Sequence, residues 1–182
     1  MNIIVRSHTG AYHFRPDSTL SKESRDLYLP KTIEYIDLVP AFSAKIGKAA
    51  KSVSPKYVER YVSGYAFGLV VYAESREQSI YSDTLRITLD NTVYIADNIE
   101  NIHKIDKLLL ELNIDKNLYS YDIDFFSIIK STHDFIVKVS AHSSLKSGDL
   151  LFIELGNKRK ATENSLIVLT DNNRPIFHFR TI

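Results

Sequence analysis

Hydrophobic and polar positions change period several times along the chain, and each change marks an element. Residues 3–5, Ile3-Ile4-Val5, are a short apolar run that reads as a strand. A strand end and turn follow at 13–20, where Pro16 pushes Arg15 toward extended backbone. Residues 31–48 alternate loosely and are rich in β-branched and aromatic side chains, which predicts a strand ending at Gly47. Ser54 as a cap and Pro55 at the first helical position predict a short helix that Gly64 ends. Residues 65–73 are almost wholly apolar and read as a buried strand. Residues 85–89 and 92–95 flank Asp90-Asn91, which predicts a two-residue hairpin. Ile99, Ile102, Ile105, Leu108, Leu109 and Leu112 recur at helical spacing and predict a core-facing helix over 98–112. The apolar runs 125–129 and 135–139 fit strands or short helices. Ser147-Gly148-Asp149 is a turn before a strand at 150–155, and two last strands, 165–169 and 175–179, are joined by a loop at Asp171-Asn172-Asn173. The sum is a β-rich α+β fold with a few short helices.

Composition narrows the partners. The 182 residues suit one domain, read here as 1–182. The 23 basic and 22 acidic residues leave a formal net charge of +1, so nothing in the charge calls for nucleic acid or an anionic membrane. With no cysteine there is no thiolate ligand or nucleophile. No run reaches the roughly 18 apolar residues of a membrane span, and the start of the chain lacks the apolar stretch of a secretory signal, so a cytoplasmic location is expected.

Generic motifs do not supply a chemistry. The six histidines (His8, His13, His103, His133, His142 and His178) show no metal-ligand spacing, and each reads as a surface or satisfied core residue. Asp122 and Asp124 would face one way on a strand, as hard-cation ligands can, but a solvated turn or helix cap explains them as well. Lys158-Arg159-Lys160 reads as a hairpin tip.

Longer stretches carry more. Residues 37–48 end in Ile46-Gly47-Lys48, and 49–73 continue through a helix signal into Gly64-Tyr65 and a buried strand. Upstream stands Phe14-Arg15-Pro16-Asp17-Ser18-Thr19-Leu20, and downstream Leu145-Lys146-Ser147-Gly148-Asp149-Leu150-Leu151-Phe152. In order and spacing these segments resemble the core domain of the fumarylacetoacetate hydrolase superfamily. The match covers 14–73 and 133–155. It implies a β-roll, and in active members a divalent Mg²⁺ or Mn²⁺ held by Glu-x-Glu and an Asp, polarising a 2-oxo or diketo acid for C–C cleavage or isomerisation.

The same alignment puts Val39 and Ala41 at the two glutamate positions and Val70 at the aspartate position. Glu74 stands where many members carry an arginine, and Ile153-Glu154-Leu155-Gly156 replaces Thr-Gly-Thr-Pro. The acid–base lid segment has no counterpart before Phe14. The expectation is a degenerate, non-catalytic relative that binds no metal and serves as a binding or interaction module, with a small anionic metabolite meeting Arg15 and Ser18. Arg15 is equally readable as a surface residue. The alternative is a divergent metal-dependent hydrolase, isomerase or decarboxylase acting on 2-oxo or diketo acids, with a relocated site drawing on Asp122, Asp124 or His133. The resemblance further implies a homodimer, or pairing with an active paralogue.

Overall fold

The computed structural model describes residues 1–21, 23–100 and 102–182; the side chain of His103 lies outside the described set. In chain order the elements are β1 (Ile3–Arg6), β2 (Tyr12–Arg15), β3 (Leu20–Ser21), β4 (Ile33–Ile46), β5 (Val62–Ser75), α1 (Ser82–Thr88), β6 (Val93–Ile95), β7 (Lys107–Ile114), β8 (Asn117–Asp124), α2 (Phe125–His142), β9 (Leu150–Glu154), β10 (Arg159–Ala161), β11 (Leu166–Asp171) and β12 (Arg174–Arg180). Short 3-10 turns occupy Asp17–Thr19, Pro55–Tyr61 and Ile102–Lys104.

Two sheets result. The larger runs β2-β1-β9-β4-β5-β6-β3, with β10 added on the β9 side of β4; the smaller is antiparallel, β12-β11-β7-β8. The spine of the large sheet is the β4–β5 pairing, in which Asp37 faces Tyr72, Val39 faces Val70 and Ala41 faces Gly68. Opposed residues share a face of the sheet, so this register sorts both strands. Ile36, Leu38, Phe42, Leu69, Val71 and Ala73 join the main core with α2 and the inner face of the small sheet. Tyr94 of β6 stacks on Phe179 of β12, with ring centroids 4.3 Å apart, and ties the two sheets together. The opposite face carries a second apolar cluster of Ile3, Val5, Val39, Ala41, Val70, Tyr72, Val93, Leu150 and Phe152.

The strands expected at 3–5, 31–48, 65–73, 150–155, 165–169 and 175–179 are present with small shifts of boundary. The last two meet in a two-residue turn where Asn172 and Asn173 both take positive φ, the geometry that suits a tight hairpin. The expected helix over 98–112 is not found: Ile102–Lys104 is a 3-10 turn and β7 is a strand. Leu108, Leu110, Leu112 and Ile114 are buried, while Lys107, Leu109, Glu111 and Asn113 point the other way, so period two wins where the leucines also fit a helical stripe. Asn101, within that expected helix, lies outside the described residues.

The hairpin expected across Asp90-Asn91 is instead the join between α1 and β6; Asn91 does take φ +58°. The Ser54-Pro55 start is a 3-10 helix without a side-chain cap, and Gly64 lies inside β5 opposite Lys45 rather than at a helix end. Residues 125–142 form one long helix. Its buried residues, Phe125, Thr132, Phe135, Ile136, Val139 and Ser140, follow one helical stripe that the intervening polar residues hide. Among the described residues no helix is long and apolar enough to cross a membrane.

Gly68 shows how tightly the spine is packed. A Cβ there would sit 2.7 Å from the Tyr94 carbonyl oxygen and 2.7 Å from the Phe152 ring, and backbone cannot step aside. Gly68→Ala is expected to lower stability by about 2 kcal/mol or more, read from the urea midpoint at unchanged slope.

Candidate functional site

The positions matched to the family's metal ligands come together on one face, as the resemblance requires. Val39, Ala41 and Val70 are each fully buried and pack in the second apolar cluster. Hard divalent cations need oxygen donors, and these three side chains have none. The residues at this place do not fit the metal.

The polar chemistry lies beside that patch. Glu154 faces Ala41 across the β4–β9 ladder and its side chain is fully buried. It accepts a 2.6 Å hydrogen bond from the Tyr72 hydroxyl and a 3.1 Å bond from the His8 backbone N–H, with the His8 ring 3.7 Å away. These donors are what keep a buried carboxylate tolerable. Tyr72, opposite Asp37, is ringed by cations: Lys158 lies 3.5 Å from its ring centroid, Arg15 4.4 Å and Arg86 5.1 Å. Burial, more than any neighbour, pushes the Tyr72 hydroxyl well above the ordinary tyrosine range, so it stays a donor.

Arg15 is not a surface residue. It is 3% exposed, brought to this face by the pairing of β2 with β1, and it donates to the Val71 carbonyl at 2.8 Å and to the His13 ring at 3.2 Å. Its Nη2 is buried with no hydrogen-bond partner. Burial lowers the affinity of Arg15 for its proton, and the Tyr72 hydroxyl and Glu154 offset part of that loss. Ser18 does not join it. It is exposed on the 3-10 turn, where its carbonyl accepts the Asn91 N–H at 3.2 Å.

The remaining charges surround the same place. Arg86, carried by α1, pairs with Glu74 of β5 at 2.5 Å. Asp37 is half-buried; burial first and Glu74 second raise its pKa, while Lys158, Arg86 and Lys160 oppose the rise. Lys158-Arg159-Lys160 is not a hairpin tip, since β9 and β10 each pair with β4 and not with one another. It leads into β10, which pairs with 36–38 of β4, and each cation rests on a different tyrosine: Lys158 on Tyr72, Arg159 on Tyr119, Lys160 on Tyr35.

The residues set aside for a relocated site go elsewhere. Asp124 caps α2, accepting from the Ser127 N–H at 3.1 Å, and Asp122 is exposed on β8. His133 is hydrogen-bonded to the Tyr65 hydroxyl at 2.7 Å. Among the described residues no three His, Asp or Glu side chains are grouped to hold a metal ion. Two clefts, of about 600 and 530 Å³, lie along Ile95–Glu100 with the β11–β12 hairpin and beside Tyr65 and Ile102; neither is lined by Arg15, Tyr72 or Glu154.

Tyr72, Arg86, Glu154 and Lys158 were missed as site residues by sequence reasoning. A signal existed for two of them: Tyr72 shares the strand parity of Val70, and Glu154 that of Phe152. Arg86 and Lys158 arrive from α1 and from the segment before β10, whose placements no local pattern declares.

No protein-family model matches the chain, and no curated protein does. Solved structures do. Fumarylpyruvate hydrolase from Pseudomonas aeruginosa, in complex with Mn²⁺ and pyruvate, is similar at TM-score 0.80 and 14% identity, over 100% of this chain and 89% of that one. The 2-hydroxyhepta-2,4-diene-1,7-dioate isomerase from Mycobacterium marinum is similar at 0.79 and 14%, over 100% and 74%. A Yersinia pestis CO92 protein provisionally assigned to the fumarylacetoacetate hydrolase family is similar at 0.80 and 16%, over 100% and 92%. The fold is therefore the fumarylacetoacetate hydrolase fold. At such identities the likeness extends to the fold alone, and the chemistry has to be argued from the residues.

His13 supplies a test of the electrostatics. Burial, then Arg15, Lys158 and Arg86, hold its pKa at about 4, below the ordinary 6.5. The folded state thus disfavours the imidazolium. The stability this group contributes is complete above pH 6.5 and is lost as pH falls from 6.5 toward 4, where the unfolded chain binds the proton first. His13→Gln is expected to flatten the pH dependence of the melting temperature across that window relative to the parent chain.

Proposed function

We propose that the chain is a non-catalytic binding module on the fumarylacetoacetate hydrolase scaffold, one that takes a small anionic metabolite without a metal. The observation that carries this reading is the burial of Val39, Ala41 and Val70 in an apolar cluster at the three matched ligand positions. Solved neighbours with this fold include hydrolases and an isomerase, two of the hydrolases in complex with manganese and pyruvate. The scaffold therefore suits small oxo acids, while the donor set for the metal is missing from the matched positions.

One observation favours the alternative, a divergent metal-dependent hydrolase, isomerase or decarboxylase acting on 2-oxo or diketo acids. Asp37, Glu74 and Glu154 stand on the same face as the patch. Against it, Glu74 is paired with Arg86, and Glu154 is satisfied by Tyr72 and His8.

Calorimetric titration of the metal-stripped protein with Mn²⁺ and Mg²⁺ separates the two, with thermal melting alongside. The binding-module reading expects no heat and no rise in melting temperature at millimolar metal, and no turnover of an acylpyruvate or oxaloacetate. Micromolar affinity would have to stabilise the native state by mass action. Together with turnover lost in Glu154→Gln, it would establish the enzyme instead.

A further inference from the structure

The formal net charge of +1 hides an uneven placement of charge. Gly47, just past the end of β4, is where three segments meet. Its N–H donates to the Tyr61 carbonyl at 2.7 Å, its carbonyl accepts the Ser147 hydroxyl at 3.0 Å, and Lys48 follows it in the chain. Each segment brings a cation to this place: Lys48 itself, Arg60 next to Tyr61, and Lys146 next to Ser147. A little further on, Ala50 and Leu145 form an antiparallel bridge with both side chains buried. Neighbouring positions on such a bridge turn to the opposite face, so Lys51 and Lys146 point outward together. Lys45, near the end of β4, and Lys56, in the 3-10 turn, complete the group, and all six side chains are exposed.

Little at this end offsets them. Segments 45–61 and 140–149 carry these six cations and two carboxylates, Glu59 and Asp149. Asp149 is fully buried and accepts from the Asn2 N–H at 2.7 Å, the Asn2 side-chain amide at 3.1 Å and the Lys146 N–H at 2.8 Å. Among the described residues none of the six cations forms an ion pair. Lys51 Nζ donates to the His142 carbonyl at 3.3 Å, at the end of α2, where a cation suits the helix dipole. The other five side chains make no hydrogen bond among the described residues. Like charges gathered on one face repel one another, and a polyanion relieves that repulsion.

An aromatic ring stands among these cations. Tyr57 is 41% exposed, with Arg60 Cζ 4.6 Å and Lys56 Nζ 5.6 Å from its ring centroid. The 3-10 turn sets this arrangement, because side chains three residues apart align in that geometry. An anionic membrane would need the charges alone. The exposed ring between two cations favours a ligand with both phosphates and flat bases.

We propose that this end of the molecule binds single-stranded nucleic acid, with a base stacked on Tyr57 and the backbone phosphates on Lys48, Lys56, Arg60 and Lys146. The surface lies at the far end of β4 from the Asp37–Tyr72 pairing, so it is independent of the metal-free reading.

The test is fluorescence anisotropy of the full chain with a fluorescein-labelled oligothymidylate of about 15 nucleotides. The expected dissociation constant is about 10 µM in about 50 mM NaCl, and log affinity should fall against log salt with a slope of about −3, roughly 0.7 per phosphate contacted. K48E/K146E should weaken binding by about tenfold or more, with the melting temperature and far-UV circular dichroism of the parent. Y57A should weaken it about tenfold and Y57F should keep it, since the ring remains. Retention on heparin, a polyanion without bases, should be unchanged in Y57A. No binding at that salt, parental affinity in K48E/K146E or in Y57A, or a matching loss of heparin retention in Y57A would each overturn the proposal. So would phosphatidylserine vesicles that displace the oligonucleotide at equal charge concentration, which would assign the surface to a membrane.

Discussion

The antiparallel pairing of β4 with β5 is the constraint on which the rest depends. Both strands run for 14 residues, and a slip of one position would turn every side chain to the other face. In the observed register the odd-numbered residues of β4 and the even-numbered residues of β5 share one face, from Tyr35 and Glu74 to Ser43 and Ala66. Gly68 fits this spine because Phe152 and the Tyr94 carbonyl already occupy the space a side chain would need. The large sheet is built outward from that pair: β9 and β10 share one edge of β4, and β6 pairs with 68–70 of β5.

The other face of the same pair holds the main core, and this explains why the site face can vary. Phe42 stacks on Tyr65, and Phe67 and Phe125 meet it edge-on. With α2 and the small sheet packed on that side, burial of large apolar side chains, worth about 2 kcal/mol each, sustains the fold from one side. Val39, Ala41 and Val70 need only fill their space. Three apolar residues remove the mutual repulsion that a carboxylate triplet creates without its cation.

The legible part of the fold was the part carried by composition. β4 and β5 are long and rich in β-branched and aromatic residues, and the segments around Ile46-Gly47-Lys48 and Gly148-Asp149 kept enough of the family's spacing to indicate the scaffold. The misread part was where two periods fit one stretch. The leucines from Leu108 to Leu112 satisfy a helix and a strand alike, and pairing with β8 and β11 decides for the strand. α1 was missed because its helical stretch abuts the Asn91 turn that suggests a hairpin. Of the site, sequence spacing marked Val39, Ala41 and Val70, which do share one face, and pointed to Arg15, but it left Arg15 readable as a surface residue and coupled it to Ser18. Nothing local says that β2 runs beside β1 and carries the guanidinium inward. Lys158 looked like one charge of a hairpin tip, because a basic tripeptide shows its sign and not its three tyrosine partners.

A metal site and the cluster around Tyr72 resolve the same problem in opposite ways. Carboxylates gathered on a buried face need positive charge, and a dissociable ion makes that charge available to a substrate as well. Here Glu154 is stabilised by the Tyr72 hydroxyl and the His8 N–H, while Arg15, Arg86 and Lys158 are covalently part of the chain. Resident cations cannot leave, and they stand beside the three carboxylates Asp37, Glu74 and Glu154 of the same face.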